Sequence, residues 1–343
     1  SCDSGVCTIS GTVDQDYTMV AGTDYVLSGT VKVGDGNGVI SSATEMSAIQ
    51  AAGVTLTIEP GVDVKGSSDG ILLVTRGSKL VADGTASAPI TFSSLDADYD
   101  GMGEWGGIVV QGFAPQYGAG GTGACFADGE AWCNVEGEGG TTIANYGGNL
   151  PADDSGVIRY VRIAEGGLVA GPNNEVNGLT LQGVGHGTQI SHVQVHGNLD
   201  DGIEWFGGTA NVTHAVLTNN DDDDIDFDEG FQGNIQYALV IKRQDEGAVP
   251  VGSNDPRGLE LNSSDGDYVP ETAGSVANVT VIGGDAANSK SEFGMRIRGS
   301  VTANIYNSAV AGYDNTCARI DDSDHDGSSA TAKIDTPATF TNF

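Results

Sequence analysis

Six short segments of the sequence share one pattern, in which a small or turn residue is followed by an apolar, a polar and an apolar residue. Strands in neighbouring repeats lie about 4.8 Å apart, so equivalent polar positions would form one column on an outer sheet face. From first to last segment the column reads Thr180, Glu204, Asp226, Glu260, Arg296 and Arg319. It therefore brings three carboxylates together with two guanidinium groups.

This column is open to two interpretations. In an enzyme, Glu204, Asp226 and Glu260 would bind Ca²⁺ or act as acid and base, and Arg296 would take a proton or clamp an acidic sugar. Alternatively the column is a charge ladder, in which Glu260 pairs with Arg296 and the remaining acids are solvated. Both interpretations place the column on an exposed face, walled by the long loops that follow Asp226 and Glu260.

Calcium binding is predicted at two loops that match the opening D-x-D-x-D-G of a calcium loop. In such loops alternate carboxylates converge on one cation, and the glycine permits a sharp turn. A third candidate follows from the alternation of a strand, because inward Ile225 and Phe227 would leave the flanking aspartates on one outer face. That third set could instead discourage aggregation of exposed edges. The three sets are Asp96, Asp98 and Asp100; Asp322, Asp324 and Asp326; and Asp224, Asp226 and Asp228.

The elements that position these residues follow from the spacing of the six segments, which is 24, 22, 34, 36 and 23 residues. A base period with two lengthened units, and a second strand in most units, is typical of a solenoid with loops inserted at one corner. The pattern predicts an all-β, right-handed, single-stranded parallel β-helix whose coils bury two apolar ladders. These ladders are Leu179, Ile203, Ile225, Leu259, Met295 and Ala318, and Leu181, Trp205, Phe227, Leu261, Ile297 and Ile320.

The domain organisation predicted from this pattern is a single elongated domain over residues 1–343. Residues 1–50 form an N-terminal cap or the first coils, and the Gly-rich residues 112–155 form one long insertion. Residues 321–343 form an acidic loop and a tail strand, and no strong helical period is visible anywhere. His192 and His214 fall on equivalent positions one coil apart and are expected to stack.

Composition and cysteine usage narrow the partners and the compartment. The net charge of −33 excludes binding to nucleic acid through phosphate neutralisation and disfavours anionic membrane surfaces. No apolar run is long enough for a transmembrane helix. Cys2 with Cys7, and Cys125 with Cys133, could each close a short disulfide in an oxidising compartment, which leaves Cys317 over. A start at Ser1 without Met is expected of a processed, secreted chain.

Several motifs resemble those of secreted bacterial right-handed β-helix surface proteins in the pectate-lyase-like superfamily. They lie within residues 50–310, at residues 57–62 (TIEPGV), 105–108 (WGGI), 174–181 (NEVNGLTL), 200–208 (DDGIEWFGG) and 226–231 (DFDEGF). The resemblance implies the β-helix fold and export, with an extracellular or cell-surface location. It carries little about chemistry, because most members have no established activity.

Two functions follow from these observations. The first is a secreted structural or adhesive surface protein, stabilised by Ca²⁺ and self-associating end to end through open strand edges. The second is a calcium-dependent lyase or hydrolase of extracellular acidic polysaccharide that acts at the outer column. Calcium is the expected cofactor in both.

Overall fold

The computed structural model describes the chain except residues 1, 4, 97, 119–130, 172–173, 243–256, 264–267, 285–292, 314, 321–338 and 342–343. Its strands stack in three parallel rows, so that each coil contributes one segment to each row. The strands of row one are β4 (Tyr17–Met19), β7 (Thr55–Ile58), β10 (Lys79–Asp83), β15 (Gly156–Ala164), β19 (Gln189–His196), β21 (Val212–Thr218), β23 (Asn234–Ile241), β25 (Ser275–Ile282), β27 (Asn304–Tyr306) and β30 (Thr339–Thr341).

Row two shares the five long strands β15, β19, β21, β23 and β25 with row one, because each of them bends at the corner between the rows. Its other strands are β1 (Cys2–Asp3), β2 (Val6–Ile9), β5 (Asp24–Leu27), β8 (Asp63–Gly66), β11 (Ile90–Ser94) and β28 (Ala309–Ala311). β1 is antiparallel to β2, and the predicted Cys2–Cys7 disulfide closes this hairpin at the edge of the row.

Row three is the sheet that carries the predicted column. Its strands are β3 (Thr12–Val13), β6 (Thr30–Val33), β9 (Ile71–Val74), β12 (Gly107–Gln111), β18 (Leu179–Gln182), β20 (Ile203–Phe206), β22 (Ile225–Asp228), β24 (Leu259–Ser263), β26 (Met295–Gly299) and β29 (Arg319–Ile320). All the pairings within it are parallel. The predicted all-β parallel β-helix is therefore confirmed.

The core is a continuous apolar column inside the coils. In row three, Leu179 pairs with Ile203, and the same register continues through Ile225, Leu259 and Met295 as predicted. The neighbouring ladder from Leu181 to Ile297 is buried in the same way, whereas Ile320, its last member, is 47% exposed. One cluster of buried residues runs from Cys7 to Ile305, so a single core spans the solenoid.

The corner between rows one and two is built from residues with left-handed backbone geometry. Tyr160, His192, His214 and Tyr237 occupy equivalent positions, and their φ angles lie between 50° and 61°. Their rings stack along the outside, with centroids 4.4, 4.5 and 5.0 Å apart. The expected stacking of His192 on His214 is therefore present, within a longer column of rings.

The helix α1 (Ala43–Ala52) is an element that the sequence pattern missed, since no helical period was visible. The oxygen of Ser42 caps its N-terminus by accepting a hydrogen bond from the Glu45 backbone N–H, and Glu45 reaches back to Ser41. Met46 is its buried residue, so the helix has almost no apolar stripe from which a period could be read. Around it, β2 to β6 of the N-terminal segment pair in the three rows of the solenoid.

The segment 112–155 packs against the outer face of row three. Its described part contains the antiparallel hairpin of β13 (Trp132–Glu136) and β14 (Asn145–Gly148). A second small hairpin is formed by β16 (Val169–Gly171) and β17 (Asn174–Glu175). In the early coils the covered face is apolar, and Leu73 and Val109 pack there with Ile143 of the insertion. The insertion therefore turns one face of the solenoid into an interior.

A fully buried arginine fastens this insertion to the coils. Arg76 follows β9, and its guanidinium donates to the backbone carbonyls of Gly36, Gly38, Cys133 and Gly147. Burial lowers the pKa of Arg76 to about 10, so the group remains charged at neutral pH. Among the described residues, no helix is long and apolar enough to cross a membrane.

We expect Arg76→Leu to destabilise the fold by about 3 kcal/mol, because each buried carbonyl left without a donor costs about 1–3 kcal/mol. Urea unfolding measures the change. Arg162→Leu, at an exposed arginine of β15, is the matched control and is expected to change stability by less than about 0.5 kcal/mol. Equal effects of the two substitutions would contradict the role assigned to Arg76.

Candidate functional site

The predicted outer column is present in the register expected from the repeats. Thr180 pairs with Glu204, Glu204 with Asp226, Asp226 with Glu260, and Glu260 with Arg296. The prediction that this face is exposed is wrong. Glu204 is 9% exposed and Glu260 is 4% exposed, because side chains of the insertion and of the turns before each strand close over them.

A second column, which sequence reasoning missed, lies in those turns. It consists of Asn177, Asp201, Asp223 and Arg257, each two residues before the first residue of its strand. The side-chain oxygen of Asn177 accepts from the Asp201 N–H at 3.1 Å, that of Asp201 from the Asp223 N–H at 2.8 Å, and that of Asp223 from the Arg257 N–H at 2.7 Å. One carboxylate oxygen of each aspartate thus joins adjacent coils.

The two columns line one acidic cleft of about 390 Å³. Acidic side chains of the insertion and of β17 form part of its wall. The lining consists of Glu138, Glu175, Asp200, Asp201, Glu204, Asp222, Asp223, Asp226, Glu260, Arg257, Arg296 and Arg298. Nine carboxyl groups thus face three guanidinium groups in a partly enclosed space.

The arginines gather at one end of this acidic cleft, around Glu260. Arg298 Nη2 lies 2.5 Å from Glu260 Oε1, Arg257 Nη1 contacts Oε2, and Arg296 Nη1 lies 3.8 Å from Oε2. Arg257 also lies 3.2 Å from Asp223 Oδ2. The predicted pair of Glu260 with Arg296 is therefore the longest of three contacts. Glu260 is held by charge-assisted bonds.

At the other end, carboxylates converge in two overlapping groups. Ligand oxygens of Asp201, Glu204 and Asp226 all lie within 4.8 Å of one another, and so do those of Asp200, Asp201 and Asp222. Since Ca²⁺–oxygen distances are about 2.3–2.6 Å, one cation could contact every member of either group. The Oδ1 atom of Asp226 is buried and has no hydrogen-bond partner among the described residues. Both groups share Asp201.

Burial and mutual repulsion hold these acids away from their ordinary ionisation. Burial, followed by the charges of neighbouring carboxylates, raises the pKa of Asp201, Glu204 and Asp226 well above the usual range. Burial is also the largest reason why the pKa of Glu138 rises to about 7. Without a cation, the protonated forms of these groups are therefore favoured more strongly than in solvent-exposed acids. A divalent cation would displace those protons.

The third predicted calcium set is divided among different partners, so the expectation that its three carboxylates act together is not met. Asp224 is fully buried and forms an ion pair with Lys242 at 2.9 Å. Asp228 accepts hydrogen bonds from the Tyr117 hydroxyl at 2.5 Å and from Asn262 at 2.8 Å. Asp226 alone of the three lines the acidic cleft. Asp224 has a different environment because it lies immediately before β22, whereas Asp226 and Asp228 lie on that strand.

The two predicted loop sites have different outcomes. Asp96, Asp98 and Asp100 are all exposed, but only Asp96 lies close to Glu104 and Glu165 among the three. Asp322, Asp324 and Asp326 lie outside the described residues, and so does Cys125. Cys133 is buried and disulfide-bonded. Cys317 is an exposed free thiol.

The raised pKa values predict how stability depends on pH when calcium is absent. An acid with a raised folded-state pKa stabilises the fold at low pH, and this contribution is lost as the pH rises through that pKa. Burial raises the pKa of Glu229, beneath the insertion, to about 8, and that of Glu138 to about 7. We therefore expect the chelated protein to lose stability between pH 4.5 and 8. Glu229→Gln should make the decline shallower.

Thermal melts across this pH range, with chelator or with calcium, measure the effect. Added calcium is expected to reduce the decline, since it neutralises the acidic cleft. A chelated protein that is as stable at pH 8 as at pH 5 would contradict the electrostatic description of this cleft.

Comparison with known proteins agrees with the architecture. No curated protein and no solved structure gave a significant match. A family model described as a pectate-lyase like beta helix domain matches residues 11–343. The match extends beyond the 50–310 region in which the sequence motifs lie, and it includes the first coils. The chain therefore belongs to the family of pectate-lyase like β-helix domains.

Proposed function

We propose that this chain is a secreted β-helix protein of the bacterial surface whose acidic cleft binds Ca²⁺. The observation that carries the proposal is the pair of overlapping carboxylate groups that share Asp201. A buried cluster of like charges is costly unless it is paired, protonated or bound to a cation. The arginines compensate the end near Glu260, and calcium would compensate the end near Asp201.

The chemistry of the lining favours calcium over other metals. Among the described residues that line the acidic cleft, every candidate ligand atom is a carboxylate oxygen, and none of these residues is histidine or cysteine. Hard oxygen ligands in flexible, irregular arrangements suit Ca²⁺, whereas Zn²⁺ prefers nitrogen and sulfur. Mg²⁺ requires a nearly ideal octahedron and usually keeps several waters.

Bound calcium would connect coils. Asp201 and Glu204 belong to the coil of β20, whereas Asp222 and Asp226 belong to the next coil. A cation between them would add a cross-coil link to the hydrogen bonds of the second column. It would also offset part of the net charge of −33, which otherwise opposes compaction.

We expect Asp201→Asn to weaken calcium binding by about tenfold or more, because affinity depends on the number of charged ligands. The amide keeps an oxygen that can accept from the Asp223 N–H, so the fold should persist. Isothermal titration with CaCl₂ after chelation measures the change. Asp63→Asn, at an exposed aspartate of β8, is the control. Unchanged affinity in Asp201→Asn would remove the site.

We also propose that the bound cation recruits a ligand to the acidic cleft. The acidic cleft has the size of a small-ligand site, and Arg296 and Arg298 are each 17% exposed at its basic end. Calcium would reverse the local charge and let an acidic glycan approach. Binding is favoured over catalysis, because Glu260 is engaged by three arginines and Glu204 accepts a hydrogen bond from Asn177.

Self-association is the alternative use of calcium, since a solenoid exposes strand edges at its ends. At the N-terminal end, the β1–β2 hairpin covers the edge of row two. End-to-end assembly would therefore use other rows at that end. Calcium would then bridge acidic subunits that otherwise repel each other.

One experiment separates these partners. Short oligogalacturonides are titrated into the protein with calcium or with chelator, and the same samples are imaged by negative-stain microscopy. We expect binding only with calcium, no binding of a neutral oligosaccharide, and loss of binding in Asp201→Asn. Calcium-dependent fibres without glycan binding would support self-association instead. Monomers that bind no glycan would contradict both partner proposals and leave calcium as a structural ion.

A further inference from the structure

We propose a separate calcium site at the corner between rows two and three of an earlier coil, formed by Asp96, Glu104 and Glu165. Asp96 follows β11, Glu104 precedes β12, and Glu165 follows β15 on the next coil. One carboxylate oxygen from each residue lies within 4.8 Å of the others. None of the three lines the acidic cleft, so this corner site is independent of the proposed function.

The strongest observation at the corner site is a buried carboxylate with an unused oxygen. Glu165 is 0% exposed, and its Oε1 has no hydrogen-bond partner among the described residues. Leaving such a group without a partner is costly. A cation shared with Asp96 and Glu104 would supply the missing interaction.

The hydroxyl group of Ser94 cannot satisfy both of the carboxylates that it contacts at this corner. Ser94 Oγ lies 2.9 Å from Asp96 Oδ1 and 3.0 Å from Glu165 Oε2. A hydroxyl carries one proton, so it can donate to only one of these oxygens at a time. The other carboxylate then faces a lone pair, which a cation placed among the three carboxylates would offset.

Backbone hydrogen bonds join the segments that carry Glu104 and Glu165 without a cation. The Glu104 N–H donates to the Glu165 carbonyl at 2.9 Å, and the Gly103 N–H donates to the Gly166 carbonyl at 2.8 Å. A Cβ at position 101 would lie 2.0 Å from Glu104 Oε1, so a larger residue there would displace the Glu104 side chain. The Glu104 carboxylate therefore occupies the space that a side chain would take. The ligands are largely preorganised, which lowers the entropic cost of binding.

The corner site changes the ligands predicted from the D-x-D-x-D-G motif. Asp98 and Asp100 are exposed and are not members of the group. Glu104 and Glu165 replace them, and in sequence they flank the 112–155 insertion. A cation bound by both residues would link the two ends of the segment that carries the insertion, and so would close a loop in the chain. Such a closure stabilises the folded state by reducing the entropy of the unfolded chain.

Terbium luminescence provides a test that is local to this corner. Tb³⁺ substitutes for Ca²⁺ and emits when a nearby tryptophan transfers its excitation. Trp105 is buried between the ligand segments and donates from Nε1 to the Ala164 carbonyl at 2.7 Å. Trp205 is a core residue next to Glu204 of the acidic cleft, so Asp201→Asn is used as the background in which metal binding to that cleft is weakened.

In the Asp201→Asn chain we expect Trp-sensitised Tb³⁺ emission that calcium displaces. Adding Asp96→Asn or Glu165→Gln should reduce the emission at least about tenfold at a fixed Tb³⁺ concentration, because one of three charged ligands is lost. The control adds Asp98→Asn and Asp100→Asn together and should leave the emission unchanged. Asp96 is exposed, so its substitution keeps the test valid if Glu165→Gln fails to fold.

The outcomes distinguish this proposal from the proposed function. Emission that survives both Asp96→Asn and Glu165→Gln, or that is lost in the Asp98→Asn, Asp100→Asn control, would overturn the corner site. If the acidic cleft does not bind calcium, the result is different: the Asp201→Asn chain would bind calcium with the same affinity as the wild type.

Discussion

Equivalent residues of successive coils in a parallel β-helix must stack at the strand spacing of about 4.8 Å, and the rest of this structure depends on that constraint. Apolar residues benefit from it, since the ladder from Leu179 to Met295 buries one continuous column. Carboxylates do not benefit, because stacking places like charges side by side. In row three the same register that builds the core also stacks Glu204, Asp226 and Glu260.

The chain compensates this repulsion in two ways along one face. Near Glu260 the chain's own side chains supply the compensation, because Arg257, Arg296 and Arg298 bring positive charge to the carboxylate. Near Asp201 the structure instead holds carboxyl groups with strongly raised pKa values. The insertion makes the problem acute, because it converts a solvated face into a buried one. A cation-binding cleft is the consequence of combining stacking, burial and an excess of acid.

Much of this arrangement could be predicted from the sequence, because a four-residue pattern recurring every coil determines register. The column from Thr180 to Arg319 followed from that pattern, and so did both interior ladders except for the exposed Ile320 at the end of one of them. Burial of the column could not be predicted, since nothing in the Gly-rich residues 112–155 indicates which face they cover. Asp201 and Asp223 were missed as members of a second column because they lie in turns, where the alternation of strands gives no direction. Glu165 was missed because its partner Asp96 lies on another coil, about 70 residues away in a fold dominated by cross-coil contacts.

Anomalous scattering tests most directly whether calcium occupies the acidic cleft. Crystals grown at neutral pH with calcium, and measured at a wavelength where calcium scatters anomalously, should show density among Asp201, Glu204 and Asp226 and among Asp200, Asp201 and Asp222. The peaks should disappear in crystals soaked in chelator. An acidic cleft with ordered carboxylates and no anomalous density at millimolar calcium would contradict the account, and would leave shared protons as the means by which these acids coexist.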